Sequence, residues 1–204
     1  MVLNNLPIRP QIFSWLPFII TLILLSKFAD DQLRPLWLLV IPVLMVVWVN
    51  LHGAFILGGV LIGVFCVGEF IAAIFTPHKS RNWTKTAWLL GTGVLTGLAM
   101  FVNPRFTGIV SYVIDLMTDQ PSQQLIEEWQ SPTPHGIANI AFYLSILLFF
   151  ISLAYSRYRP KPTEILLFVS FLWLAWTGQR YVIWFGITNL PFLVKIISGL
   201  PIKS

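Results

Sequence analysis

The stretch LWLLVIPVLMVVWVNLHGAFILGGVLIGVFCVGEFIAAIF, residues 36–75, decides the fold of this chain, and Glu69 is the only acid in it. A helix of about 20 apolar residues crosses the hydrocarbon core of a bilayer, so this run is about twice as long as one crossing needs. The run must therefore fold back on itself. Its polar interruption, Asn50-Leu51-His52-Gly53, marks the turn.

The composition of the whole chain also indicates a membrane protein. Of its 204 residues, 56% are hydrophobic and only 10% are charged, which is too few to cover a soluble globule. The net charge of +5 comes from basic residues scattered between apolar runs, as membrane topology places them, so nucleic acid is excluded as a partner. The lone Cys66 lies in an apolar run, and neither a disulfide framework nor a cysteine metal site is expected.

The apolar runs predict an all-α polytopic transmembrane bundle of six to seven helices, forming a single domain over residues 1–204. One long extracytoplasmic loop, Asn103 to Gly136, contains an amphipathic stretch, Thr107 to Met117, expected to lie along the membrane surface. The last segment contains Pro191 and is either a kinked crossing or partly interfacial. The predicted crossings are Ile12–Phe28, Leu36–Val49, Ala54–Phe75, Thr86–Val102, Ile137–Tyr155, Ile165–Trp176 and Tyr181–Leu200.

The basic residues orient this bundle. With alternating crossings, ten of the 13 lysines and arginines fall on one side, which the positive-inside rule makes cytoplasmic. The amino terminus then lies outside, together with Arg9, Arg105 and Arg180. The ten cytoplasmic residues are Lys27, Arg34, Lys79, Arg81, Lys85, Arg157, Arg159, Lys161, Lys195 and Lys203.

Two further patterns bear on packing. The spacings of Gly59 with Gly63 and of Gly93 with Gly97 are those that let membrane helices approach closely, although ordinary membrane-helix glycine explains them equally well. Several tryptophans near the predicted helix ends indicate an interfacial aromatic belt: Trp37, Trp48, Trp83, Trp88, Trp129 and Trp176.

The outer side carries the candidate functional residues. Asn50 and His52 occupy a turn where they can bind a polar or anionic group, or simply satisfy carbonyls at a helix end. Arg180 lies in a tight turn between apolar segments, where it needs a partner such as Glu128 or an anionic ligand. Arg105 follows Pro104 at another rigid corner.

The loop before the fifth crossing holds two further carboxylates and a histidine, Glu127, Glu128 and His135. Such carboxylates can act as a base, as ligands of a divalent metal or as partners of an outer arginine, or they are merely solvated. No metal-binding motif is recognised in the chain. Trp129, Pro132 and Pro134 would fix this loop against the bundle.

Several segments resemble a set of bacterial multi-pass membrane proteins that are similar to the C-type polytopic glycosyltransferases, which take sugars from polyprenyl-phosphate donors outside the membrane. The resemblance is carried by Arg9-Pro-Gln-Ile-Phe-Ser14, Trp48-Val-Asn-Leu-His-Gly53, Val102-Asn-Pro-Arg105, Glu128-Trp-Gln-Ser-Pro132, Gln179-Arg180 and Asn189-Leu-Pro191. It implies a location in the bacterial cytoplasmic membrane and contact with membrane lipid and a polyprenyl-phosphate sugar.

The resemblance also implies roles for the outer residues. A polyprenyl-phosphate leaving group bears negative charge in the transition state, which Arg9, Arg105, Arg180 and His52 would stabilise. Asn50 and His135 would join this substrate-binding set. Catalysis would fall to Glu127, Glu128 or His52, with a carboxylate deprotonating the acceptor hydroxyl.

The chain departs from the pattern of that family in the position of its acidic residues. The catalytic acid of these enzymes usually lies in the first outer loop, whereas Asp30 and Asp31 lie in a linker assigned to the cytoplasmic side. We therefore expect this chain to be the carboxyl-terminal part of a longer or split protein, incomplete without an amino-terminal partner polypeptide that carries the acid. An independent small protein is the alternative, since a short uncharged tail can cross the membrane.

Two hypotheses stay open, and so does the question of whether the chain is an enzyme. If it is part of a glycosyltransferase, the outer polar residues should converge on one cavity open to lipid. If it is a non-catalytic transmembrane subunit of a larger complex, they should be dispersed or pair only with each other.

Overall fold

The computed structural model describes residues 10–76 and 83–201. Within them the chain is all-helical, with nine α-helices and no strand, which confirms the predicted all-α class. The helices are α1 (Ile12–Ala29), α2 (Val40–Val49), α3 (Ile56–Phe75), α4 (Trp83–Ala99), α5 (Gly108–Thr118), α6 (Gln120–Leu125), α7 (Ile137–Tyr155), α8 (Pro162–Thr177) and α9 (Val182–Ser198).

In the part of the chain that the structure describes, three helical stretches are long and apolar enough to cross a membrane, namely Ile12–Ala29, Gly53–Phe75 and Gln179–Ser198. Four shorter apolar helices accompany them, Pro35–Val49, Gly108–Thr118, Asn139–Tyr155 and Pro162–Thr177. The described residues form two compact units that divide after Asp119, and we refer to them as the first unit and the second unit.

The reversal predicted within residues 36–75 is present in the first unit. Helix α2 ends at Val49, and a short 3-10 turn, Gly53–Phe55, leads into α3. His52 stands at the start of that turn, where its ring accepts a hydrogen bond from the backbone N–H of Ala54. The polar residues of this turn therefore lie at the joined ends of two apolar helices.

Close packing beside this turn depends on a glycine other than those singled out by spacing. A Cβ at Gly58 would lie 2.8 Å from Met45 Cε and 2.9 Å from Trp48 Cζ3. Of the glycines singled out by spacing, Gly59 and Gly93 would each place a Cβ 3.4 Å from a side-chain atom, and Gly63 and Gly97 would meet no atom within 4 Å. Trp48 is only 1% exposed, so its assignment to the interfacial belt is wrong. Its buried indole N–H is satisfied by a side chain 34 residues away, because Trp48 Nε1–H donates to Ser14 Oγ at 2.9 Å.

The other end of the first unit is held by an ion pair. Lys85, in the first turns of α4, donates to Asp31 Oδ2 at 2.7 Å and to the carbonyl of Ala29 at 3.0 Å. Asp31 has a φ of 59°, and the N–H of Gln32 donates to the carbonyl of Lys27, so Asp31 is part of the turn that ends α1.

In the second unit, α8 and α9 are joined at the end opposite their connecting turn by Glu164. Its carboxylate accepts from the Tyr158 hydroxyl at 2.7 Å, the Lys161 N–H at 2.8 Å and Lys195 Nζ at 3.0 Å. Because Pro162 suits the first position of a helix, α8 begins there and not at the predicted Ile165. We call Glu164, Tyr158, Lys161 and Lys195 the Glu164 cluster.

Candidate functional site

A cavity of about 330 Å³ lies at the ends of α2 and α4 in the first unit. It brings together three of the predicted substrate-binding or catalytic residues, Asn50, His52 and Arg105. Its remaining lining comes from Val49, Leu51, Gly53, Phe55, Asn103, Pro104, Ile109 and Tyr112. We call it the Arg105 cavity.

Asn50 fixes one wall of the Arg105 cavity. Its side-chain amide donates to the carbonyl of Val46 and to the carbonyl of Val102, both at 2.8 Å. These bonds tie the end of α2 to the segment that follows α4. Because both amide hydrogens are used, a ligand can engage this side chain only through Oδ1, which is an acceptor.

Arg105 lies in a turn that hydrogen bonds of Asn103 hold in place. Asn103 donates from Nδ2 to the carbonyl of Met100 at 2.6 Å and accepts from the Arg105 backbone N–H through Oδ1 at 2.8 Å. The Arg105 guanidinium carbon lies 4.9 Å from the centre of the Tyr112 ring. Among the residues that the structure describes, no group accepts a hydrogen bond from this guanidinium or pairs with its charge.

His52 is held by a buried network. Its Nδ1 lies 3.1 Å from Ser14 Oγ and 3.1 Å from the backbone nitrogen of Ala54. Ser14 is fully buried and accepts the Trp48 indole N–H. Sequence reasoning missed Ser14, Trp48 and Tyr112 as parts of this site. Only the fold brings Ser14 and Tyr112 to the turn, and Trp48, which is next to it in the sequence, was assigned to the interfacial belt.

Arg180 lies in the second unit, in a turn that binds the loop before α7. Its guanidinium carbon lies 4.1 Å from the centre of the Trp129 ring and 5.7 Å from that of Tyr181. Gln179 donates from its backbone N–H to the carbonyl of Gln130 at 3.0 Å and from its side chain to the carbonyl of Glu127 at 3.3 Å. Arg180 therefore stacks on an aromatic side chain of its own unit.

The remaining candidates are more exposed. Glu127 and His135 lie exposed on the segment between α6 and α7, and Glu128 is half-buried. The Tyr143 hydroxyl donates to the carbonyl of Pro132 at 2.7 Å and holds this segment onto α7. Arg9 lies outside the described residues. Within residues 10–76 and 83–201 no group of three histidine, cysteine or acidic side chains could hold a metal ion.

The geometry thus defines a helical protein that has membrane-capable helices and a cavity, lined by Arg105, at the ends of α2 and α4. Comparison of the chain with protein-family models, with curated proteins and with solved structures finds no match.

Proposed function

We propose that this chain is a multi-pass protein of the bacterial cytoplasmic membrane, with six to seven crossings, an outer amino terminus and basic cytoplasmic loops. The two ends of α4 support this orientation because different polar groups surround them. Lys85 and its partner Asp31 lie at the start of α4, and the Arg105 cavity lies beyond its end. In this proposal the start of α4 lies on the basic, cytoplasmic side and its end lies on the outer side.

We propose further that the chain is the carboxyl-terminal part of a glycosyltransferase that uses a polyprenyl-phosphate sugar, and that the Arg105 cavity holds the phosphate. The observation that carries this proposal is the Arg105 guanidinium, which lines the cavity and donates to no acceptor among the described residues. A guanidinium binds a phosphate in a bidentate manner and stabilises the charge that a phosphate leaving group acquires. Asn50 Oδ1 is suited to accept from a sugar hydroxyl.

The helix beside the cavity suits contact with membrane lipid. Val110, Ile114 and Met117 of α5 are 50%, 55% and 55% exposed and recur at the spacing of one helix face. Tyr112 and Ile109, on another face of the same helix, line the cavity. An α5 that lies in the membrane interface places a lipid phosphate at the height of Arg105.

The roles that the resemblance implies for Glu127, Glu128, Arg180 and His135 remain part of this proposal. The acid that starts catalysis belongs, in this proposal, to the amino-terminal partner polypeptide. Sugar transfer therefore requires the complete assembly, whereas donor binding can be measured on this chain.

A second candidate function is that of a non-catalytic transmembrane subunit. The stacking of Arg180 on Trp129 favours it, because this arginine then holds a loop in place without any ligand. The two functions differ in whether the Arg105 cavity binds a lipid phosphate.

Measuring the binding of farnesyl phosphate to the full chain in nanodiscs distinguishes the glycosyltransferase from the non-catalytic subunit. Because charge-assisted hydrogen bonds to the phosphate are lost, we expect Arg105→Ala to weaken binding about 10- to 100-fold. Arg34→Ala, which removes an exposed arginine of the same unit, is the matched control and should bind like the wild type. Equal affinity of all three proteins, or equal binding of farnesol and farnesyl phosphate, would contradict the proposal.

A further inference from the structure

The segment between α7 and α8, residues 156–161, presents two arginines on one side of an extended chain, and we call it the arginine segment. We propose that Arg157 and Arg159 bind the headgroup of an anionic phospholipid, and that the end of α9 holds the segment in place for this. The inference rests on the proposed membrane location but not on the Arg105 cavity, which belongs to the other unit.

Extended backbone places the two arginine side chains on the same side. Residues 157–160 form no helix, and the residues that flank them have extended ψ angles of 144° and 154°. Successive side chains of an extended chain point to opposite sides, so Arg157 and Arg159 lie on one side, about 7 Å apart along the chain. Tyr158 points the other way, and its hydroxyl donates to Glu164 Oε1 at 2.7 Å. Both arginines are accordingly exposed, whereas Tyr158 is half-buried.

Hydrogen bonds to the end of α9 fix the arginine segment. The backbone N–H of Arg157 donates to the carbonyl of Gly199 at 3.0 Å, and the Ser156 hydroxyl donates to the carbonyl of Ile196 at 2.7 Å. A Cβ at Gly199 would lie 2.5 Å from Ser156 Oγ, so the two stretches of chain are in close contact. Because the backbone is already ordered, binding of a ligand by the two arginines costs less conformational entropy.

The positive charge of the arginine segment is not neutralised by its surroundings. Residues 155–161 contain three basic residues and no acid. The nearest acid in the sequence, Glu164, is 8% exposed, and its carboxylate pairs with Lys195 at 3.0 Å. Among the residues that the structure describes, no group accepts a hydrogen bond from the Arg157 or Arg159 guanidinium or pairs with its charge. Guanidinium groups in this state are suited to the oxygens of a phosphate.

An exposed apolar face of α7 leads to the arginine segment and indicates that the phosphate belongs to a lipid. Four residues recur along it at the spacing of one helix face and are 58%, 50%, 58% and 73% exposed: Leu144, Leu148, Ile151 and Tyr155. Tyrosine is typical of the headgroup level of a membrane, and Tyr155 directly precedes the segment. A phospholipid whose acyl chains lie against this face therefore places its phosphate beside the arginines, which favour an anionic headgroup.

Native mass spectrometry of the full chain in detergent, titrated with dioleoylphosphatidylglycerol or dioleoylphosphatidylcholine, tests this preference. We expect the wild type to bind phosphatidylglycerol more tightly. Arg157→Gln combined with Arg159→Gln, which we call the arginine variant, should weaken phosphatidylglycerol binding about 5- to 30-fold because two cations are lost from the headgroup site, and should affect phosphatidylcholine binding far less. Neither side chain bonds to a described residue, so the variant should unfold at the same temperature as the wild type.

Lys27→Gln combined with Arg34→Gln is the matched control, because it removes the same charge from two exposed residues of the first unit. Residues 27–34 contain two basic and two acidic residues and carry no net charge, so no anionic headgroup is expected to bind there. The control should keep the wild-type affinity for phosphatidylglycerol. An equal loss in both double variants would mean that only the net charge of the protein matters and would overturn the inference, as would unchanged affinity of the arginine variant.

Failure of this inference is distinguishable from failure of the proposed function. A chain that binds farnesyl phosphate through Arg105 but does not prefer phosphatidylglycerol refutes the role of the arginine segment alone. A preference for phosphatidylglycerol that the arginine variant loses, in a chain that does not bind farnesyl phosphate, refutes the proposed Arg105 site alone. A chain that is recovered from cells outside the membrane fraction and cannot be inserted into nanodiscs refutes both.

Discussion

Replacing Glu164 by alanine should lower the free energy of unfolding by about 2–4 kcal/mol, because it removes a buried carboxylate that accepts hydrogen bonds from three different residues. Glu164 is 8% exposed, and its carboxylate receives the Tyr158 hydroxyl, the Lys161 N–H and Lys195 Nζ. Since these donors come from the segment before α8 and from the end of α9, the substitution should loosen the α8–α9 pair. Thermal or denaturant unfolding in detergent measures the effect.

Glu127→Ala is the matched control for Glu164→Ala. The Glu127 side chain is exposed, and its loss should change stability by no more than about 0.5 kcal/mol, as for most surface substitutions. Equal stability of the two variants would mean that the Glu164 cluster does not hold the two helices together.

Replacing Gly58 by alanine should destabilise the first unit by about 1–3 kcal/mol, the usual effect of forcing an extra carbon into a packed contact. The new Cβ would lie 2.9 Å from Trp48 Cζ3, and the Trp48 ring has no room to move because it is buried and bonded to Ser14. Gly63→Ala should have the opposite sign and stabilise α3 by up to about 1 kcal/mol, because alanine is the better helix former and no atom lies within 4 Å of its Cβ.

These two alanine variants lie on the same helix and differ only in what faces the new methyl group. Measuring their unfolding side by side therefore separates packing from helix propensity. Destabilisation of both by the same amount would contradict the close approach of α2 and α3 at Gly58.

Much of the fold could be predicted because it follows from length and hydrophobicity. The run of residues 36–75 is too long for one crossing, and the turn it requires is present at Asn50 to Gly53. Predicted and observed bounds agree closely for α1, which lies between Gln11 and Asp30, and for α7, which lies between Gly136 and Ser156. The start of α8 was missed because its first turn, Pro162 to Glu164, is polar and lacks the apolar pattern.

The candidate site could be predicted only in part, because side-chain partners depend on contacts between distant positions. Asn50, His52 and Arg105 were recognised as polar residues in apolar surroundings, and they line one cavity. Ser14 lies 38 positions from His52, and Glu164 lies 31 positions from Lys195, so no local pattern indicates either pair. Trp48 was assigned to the interface from its place near a helix end, but it is buried and its indole N–H bonds to Ser14.

The central claim is that the Arg105 cavity binds a polyprenyl phosphate, and photolabelling tests it most directly. A farnesyl phosphate analogue with a diazirine next to the phosphate would be irradiated with the full chain in nanodiscs, and the labelled residues identified by mass spectrometry. We expect labelling at residues 49–55 and 103–112, suppressed by excess farnesyl phosphate but not by farnesol, and strongly reduced in Arg105→Ala at a probe concentration near the wild-type dissociation constant. Labelling spread over the exposed apolar helix faces, unchanged in Arg105→Ala, would contradict the claim.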